Sequence, residues 1–219
     1  SIIPMVLGAA SENRGVQSLL DAIIQVLPSA AERKEIATRD GELEELEADP
    51  DKDFVALAFK TQADAHVGKV TWFRVFSGSL SSSSTLYNTR AQEEERVGQL
   101  FFARGKEHIP TDVVPAGDIG AVAKLESVET GDTLTGAAST ITLEGIPFPP
   151  AAYSAAIHPK TQSDLDKLSQ ALTRMQEEDP SLTVQRNPDT GETVVSGMGE
   201  PHVQIAIERM KRRSAIDVE

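Results

Sequence analysis

Apolar and polar residues follow four different rhythms along the 219-residue chain. Ile2, Ile3, Met5, Val6 and Leu7 form a short apolar run, which predicts the end of a buried strand. Gly8 to Asn13 read as a loop. Val16, Leu19, Leu20, Ile23, Ile24 and Leu27 then recur at the spacing of one helix face, and Pro28 stops the helix. A lone strand and helix cannot bury both apolar faces, so residues 1–30 are expected to end a larger α/β domain lying upstream. Residues 31–53 carry few apolar side chains, and a solvated acidic linker is expected there. From 54 to 146 the pattern is that of short strands: Phe54–Lys60, Val70–Phe76, Thr85–Thr89, Arg96–Ala103, Ile119–Leu125 and Ile141–Leu143. Ser77-Gly78 and Ser81–Ser84 mark turns. Many short strands without a helical period predict a small closed β-barrel.

The rhythm changes again over 147–219. Pro147, Pro149 and Pro150 form a stiff join, followed by a strand over Tyr153–Ile157. Thr161 with Asp164 resembles a capping box, and Leu165, Leu168, Leu172 and Met175 continue at helical spacing to Asp179-Pro180. Strands over Leu182–Arg186 and Glu192–Ser196 flank a turn at Asp189-Thr190-Gly191. A second helix, about Glu200 to Arg213, places Val203, Ala206, Ile207 and Met210 on one face, with Pro201 in its first turn, where a missing N–H costs nothing. Ile216–Glu219 are expected to begin a last strand that the chain end truncates. The order β-α-β-β-α-β is ferredoxin-like. The predicted fold class is therefore multi-domain: a short α/β remnant, an all-β barrel, then an α+β ferredoxin-like domain.

The net charge of −13 opposes a nucleic-acid partner, because phosphate contacts need Lys and Arg. The charge is uneven, however. Glu32 to Asp53 hold ten acidic and four basic residues, a net of −6. The remainder is closer to balanced and leaves room for an RNA-facing surface. With no cysteine, disulfides and thiolate metal sites are excluded. His66, His108, His158 and His202 stand at no metal-ligand spacing, so no metal is expected. No run approaches the ~18 apolar residues of a membrane span, and Ser1–Leu7 have no basic signal-like region. A cytoplasmic monomer without a membrane partner is expected.

Five stretches, in order, resemble the elongation factor G family of translational GTPases. Gly8-Ala9-Ala10 through Asn13-Arg14-Gly15-Val16 to Leu19-Leu20-Asp21 is similar to the last guanine-recognition loop and the following helix. His66-Val67-Gly68-Lys69 to Phe73-Arg74-Val75-Phe76-Ser77-Gly78 resembles the first hairpin of the domain II barrel. Ala116-Gly117-Asp118-Ile119-Gly120-Ala121-Val122, with Thr130-Gly131-Asp132-Thr133-Leu134, resembles the barrel signature. Glu178-Asp179-Pro180-Ser181 and Gly197-Met198-Gly199-Glu200 with His202 resemble domain III. The resemblance implies the end of a G domain over 1–30, domain II over 54–146 and domain III over 147–219. It implies a weak guanine-loop remnant at Gly8, Ala9 and Ala10. It also implies interdomain or ribosome contacts at Arg74, Gly197, Met198, Gly199, Glu200 and His202. Departures are Ala9-Ala10 for Ser-Ala, Ser83-Ser84 for Gly-Asp, which predicts a looser turn, and Pro201 for Leu.

The residues carry simpler readings too. Gly117-Asp118 and Gly131-Asp132 suit tight turns. Gly197–Gly199 opens a helix whose free N–H groups suit an anion or carbonyl, and equally a plain capping turn. Arg74 in an apolar strand either snorkels or pairs on the outer face, or contacts ribosomal RNA. Arg209, Lys211, Arg212 and Arg213 suit the C-terminal end of a helix dipole.

The chain has no G-x-x-x-x-G-K-[ST] loop, no Asn-Lys-x-Asp and no Asp-x-x-Gly switch. No catalytic residue is therefore expected, and no cofactor in this fragment. GTP and Mg²⁺ would belong to the parent's G domain. The implied function is docking on the ribosome and relaying nucleotide state during translocation. Alternatives are a recycling or ribosome-protection paralogue, and a non-catalytic protein-binding module on the same folds.

Overall fold

A computed structural model describes residues 3–64, 67–160, 162–214, 216 and 218. Among the described residues no strand precedes the first helix. Ile3, Met5 and Leu7 are more than four-fifths exposed, against the buried strand expected there. Ala10–Glu12 form one 3₁₀ turn, and α1 spans Val16–Val26. None of α1 is buried, and its stripe of Leu19, Leu20, Ile23 and Ile24 is bare. Ser1 and Ile2 lie outside the described residues.

The acidic linker expected over 31–53 is in part a β-hairpin, β1 (Glu35–Arg39) and β2 (Glu42–Leu46). The mutual repulsion expected of its carboxylates is offset by cross-strand and neighbouring cations. Lys34 Nζ lies 2.7 Å from Glu45, Arg39 Nε lies 2.6 Å from Glu44, and Lys52 pairs with Glu47. Its sparse apolar residues suffice because two of them, Ala37 and Leu46, are buried against Val55, Ile141 and Leu143.

The barrel strands are β3 (Val55–Asp64), β4 (Gly68–Ser77), β5 (Ser79–Ser81), β6 (Thr85–Asn88), β7 (Glu93–Arg96), β8 (Leu100–Arg104), β9 (Glu107–Thr111), β10 (Val113–Pro115), β11 (Ile119–Ala123), β12 (Thr133–Thr135) and β13 (Thr142–Leu143). Eight of them run in the order β7-β6-β12-β3-β4-β11-β8-β9, while β10 pairs with β5 and β13 joins the hairpin. Leu86 and Leu100, from the second and the seventh strand of that order, share one core with Phe73, Val75, Val122 and Leu134. The sheet therefore curls around one shared core. Gly117 and Gly131 have φ of 93° and 102°, as their turns require.

The turn at Ser81–Ser84 is tight rather than loose. Ser84 Oγ donates to Ser81 O at 2.6 Å, and Ser83 N–H donates to Val97 O at 3.1 Å. Ser83 holds φ of 63°, a conformation that only glycine adopts freely. Ser83→Gly is therefore expected to stabilise the chain by about 0.5–1 kcal/mol, read from the urea midpoint. A lower midpoint would contradict this.

The last domain follows as β14 (Tyr153–Ile157), α2 (Gln162–Glu178), β15 (Thr183–Arg186), β16 (Thr193–Gly197) and α3 (Glu200–Ser214). Its sheet order is β14-β16-β15. Pro159 forms an isolated antiparallel bridge to Val218, just past the end of β14. Both helices cover one face, where Leu168, Leu172, Met175, Val203, Ala206 and Met210 meet Ile157, Leu182 and Val195. Thr161, the expected cap, lies outside the described residues, as do His66, Asp217 and Glu219.

Candidate interdomain site

The structure gathers five of the predicted residues, Gly197, Met198, Gly199, Glu200 and His202, at the turn between β16 and α3. It also adds a partner that spacing did not reveal. His202 Nδ1 accepts from Met198 N–H at 3.1 Å, which leaves the proton on Nε2 to donate to Asp179 Oδ2 at 2.9 Å. Asp179 Oδ1 in turn accepts from the Ser181 N–H at 3.1 Å and from the Ser181 hydroxyl. One imidazole thus ties the start of α3 to the end of α2, and the capping use of this turn takes up the Met198 N–H. Glu200 is exposed and accepts from Gln204 at 3.0 Å, Met198 is 47% exposed, and Gly199 has room around it.

Gly197 has no such room. A Cβ there would stand 2.8 Å from His202 Nδ1 and 3.0 Å from side-chain carbons of Leu182 and Val203. Gly197→Ala is expected to displace the His202 ring and to cost about 1–3 kcal/mol through overpacking. Thermal unfolding with the His202 side-chain NMR resonances checks this, and unmoved resonances with an unchanged Tm would refute it.

Burial pushes the Asp179 carboxyl up, but the hydrogen bonds from Ser181 and His202 outweigh it and hold the group below its ordinary value of 3.8. Its stabilising effect is therefore whole above that value and is lost as the pH falls through the depressed folded one. Asp179→Asn is expected to flatten this acid limb of the Tm profile. Superimposable acid limbs would show that the carboxylate does not stabilise the fold.

The His202–Asp179 pair lines a cleft of about 480 Å³ between the barrel and the last domain. Lys60 to Asp64 form the barrel wall. Arg174, Met175, Glu178, Ile205, Arg209 and Arg213 form part of the other. Glu178 bridges the walls: its Oε1 accepts from Ala63 N–H at 2.8 Å, and Arg213 Nη1 donates to its two oxygens at 2.8 and 2.6 Å. Helical periodicity did not single out Glu178 or Arg213. One local signal existed: α2 ends on Glu177-Glu178-Asp179 with no basic residue in its last turn, an arrangement the helix dipole disfavours.

Arg74 lies apart, in the hollow beside Ala30, Arg33 and Leu46. Its guanidinium sits 5.3 Å from the Phe76 ring centroid, while its Nε is buried without a hydrogen-bond partner among the described residues. Gly8, Ala9 and Ala10 are exposed, with Ala9 bridged to Arg14. Among the described residues no group of three His, Cys, Asp or Glu could hold a metal ion. No helix of the described residues is long and apolar enough to cross a membrane.

Comparison with known proteins agrees with this architecture. The family model "Elongation factor G domain 2" matches residues 53–137, and "Elongation Factor G, domain III" matches residues 148–219. The elongation factor G of Amoebophilus asiaticus (strain 5a2) is 41% identical over the whole chain. The chain spans 31% of that relative's length. A crystal structure from Thermus thermophilus superposes with a TM-score of 0.74 at 30% identity, over 94% of this chain and 29% of its own. A barrel matching domain 2, followed in order by an α+β unit matching domain III, places the chain in the elongation factor G family.

Proposed function

We propose that this chain is the middle of a translational GTPase that acts in ribosomal translocation. In this reading, residues 1–30 end the GTP-binding domain, the barrel docks on the ribosome, and residues 147–219 relay the nucleotide state. The observation that carries it is the pair of family matches in consecutive order. The bare apolar stripe of α1 supports it further, because such a face needs a sheet to cover it. GTP and Mg²⁺ are then held by the parent's G domain, and this part has no catalytic residue of its own. Gly8, Ala9 and Ala10 stand where that domain would meet the guanine. Arg74 and the turn from Gly197 to His202 are the proposed contacts with ribosome or G domain. The cytoplasm is the proposed compartment, and the monomer the proposed state.

The deciding experiment is GTP hydrolysis by the full-length parent with and without ribosomes. Strong stimulation by ribosomes is the expected result. A parent with an intact phosphate loop and no stimulation would overturn the reading. Translocation is separated from recycling or protection by assaying tRNA–mRNA movement and subunit splitting side by side.

A further inference from the structure

We propose that Glu178 is an interdomain latch, a single carboxylate that holds the barrel and the α+β domain in one orientation across the cleft. The barrel supplies its half through an unfinished strand edge. β12 pairs with β3 only over Val55–Leu57. Beyond that, the β3 donors find partners outside the ladder: Ala58 N–H on Asp132 O at 2.9 Å and Thr61 N–H on the Thr130 hydroxyl at 3.0 Å. Ala63 N–H continues this edge, and its acceptor is the Glu178 carboxylate of the other domain. An edge donor left without an acceptor costs free energy wherever water is kept out. The contact therefore favours the closed arrangement.

The other half is Arg213, near the end of α3. It binds both oxygens of Glu178, so the carboxylate is shared between two elements of its own domain and one of the other. Glu178 also lines both hollows along the domain boundary, about 480 and 600 Å³, and forms part of the wall between them. Glu178 is common to both of these hollows, and a shared carboxylate is a contact that can be released. The location of Glu178 supports this. An acidic residue ending a helix is locally unfavourable, and here the bonds to Ala63 and Arg213 offset that cost. The Arg213 side chain is 51% exposed and that of Glu178 24%, so salt or a competing anion reaches the ion pair while the Ala63 bond is better shielded.

The inference concerns this chain alone, so its test is independent of whether the parent acts on ribosomes. The sequence has no cysteine, which allows spin labels at two introduced ones, Lys106→Cys on the barrel and Glu208→Cys on α3, both at exposed positions. Pulsed electron–electron distance measurements are made on the labelled chain with Glu178 intact, with Glu178→Ala and with Arg213→Ala. At about 0.1 M salt the intact chain is expected to give a narrow distribution, Glu178→Ala a broad one and Arg213→Ala an intermediate one. Raising the salt to about 1 M, which shortens the screening length to about 3 Å, is expected to broaden the intact chain and leave Glu178→Ala unchanged. Amide exchange at Ala63 is expected to speed up about tenfold or more in Glu178→Ala, as loss of a hydrogen bond to a charged group implies. A Glu178→Ala distribution that superimposes on that of the intact chain overturns the latch. So does equal broadening of both by salt. Should Glu178→Ala fail to fold, an unchanged distribution in Arg213→Ala overturns it instead.

Discussion

Asp132→Ala is expected to destabilise the chain by about 3–5 kcal/mol, because it leaves the donors of Asn88 and Glu129 without this acceptor, at roughly 1–3 kcal/mol each, and also removes the ion pair with the half-exposed Arg90. Asp132 is 4% exposed and closes three elements at once. Its Oδ1 lies 2.6 Å from Arg90 Nε, and its Oδ2 accepts from Arg90 Nη2 at 3.0 Å, Asn88 Nδ2 at 2.8 Å and Glu129 N–H at 2.8 Å. Asn88 is fully buried, and its Oδ1 accepts from the Arg90 and Ala91 N–H groups. Removing the carboxylate therefore strips an acceptor from Asn88 and Glu129 and undoes the turn that starts β12. Asp132→Asn keeps the shape and loses the charge, so it is expected to cost less, about 1.5–3 kcal/mol. Urea unfolding orders the three proteins. An alanine variant within ~0.5 kcal/mol of the parent, the range of an ordinary surface change, would mean that the network contributes nothing net.

Gly78→Ala is expected to have a comparable effect, about 3 kcal/mol or more, from backbone overlap added to a left-handed conformation. Gly78 has φ of 70°, and a Cβ there would lie 2.6 Å from Lys52 O, Phe54 Cα and Phe54 N. All three are backbone atoms, so no rotamer change relieves the contact. Gly78 N–H also donates to Asp49 O at 2.8 Å, which holds the segment leading into β3 against the end of β4. The substitution is expected to loosen that approach and expose Phe54, now 7% exposed. A drop in Tm together with faster amide exchange at Val55 and Ala56 is the expected signature. An unchanged Tm would show that the approach of residues 52–54 is adjustable.

The two variants probe features of unequal legibility. Gly78 sits at a turn that Ser77-Gly78 announces in the sequence. Asp132 also sits at an announced turn, but its partners Asn88 and Arg90 lie more than forty residues away, and no local pattern links them. The same divide separates the elements. α1, α3 and β14 were readable because an amphipathic period or a dense apolar run is a local property. β5, β10 and β12 are only three residues long, too short to carry a period, and they are strands because the barrel supplies neighbours. The hairpin of β1 and β2 was hidden by its charge, since the apolar partners of Ala37 and Leu46 come from β3 and the β12–β13 region. At the site, the turn from Gly197 to His202 was legible as a motif. Glu178 and Asp179 were legible as an acidic helix ending, but their partners in β3 and α3 were not, because no local pattern links them.

By itself the sequence determined the order of units, a helical start, a β-rich middle and a β-α-β-β-α end, because each carries its own hydrophobic period. It also fixed where the chain must turn, because glycine and proline restrict the backbone locally. Tertiary structure alone decided which acids are solvated and which are ligands. Glu42 stays exposed, while Asp132, Asp179 and Glu178 each bind groups brought in by other elements. A carboxylate's role depends on the donors and the water within a few ångströms of it, and those neighbours are assembled only by the fold.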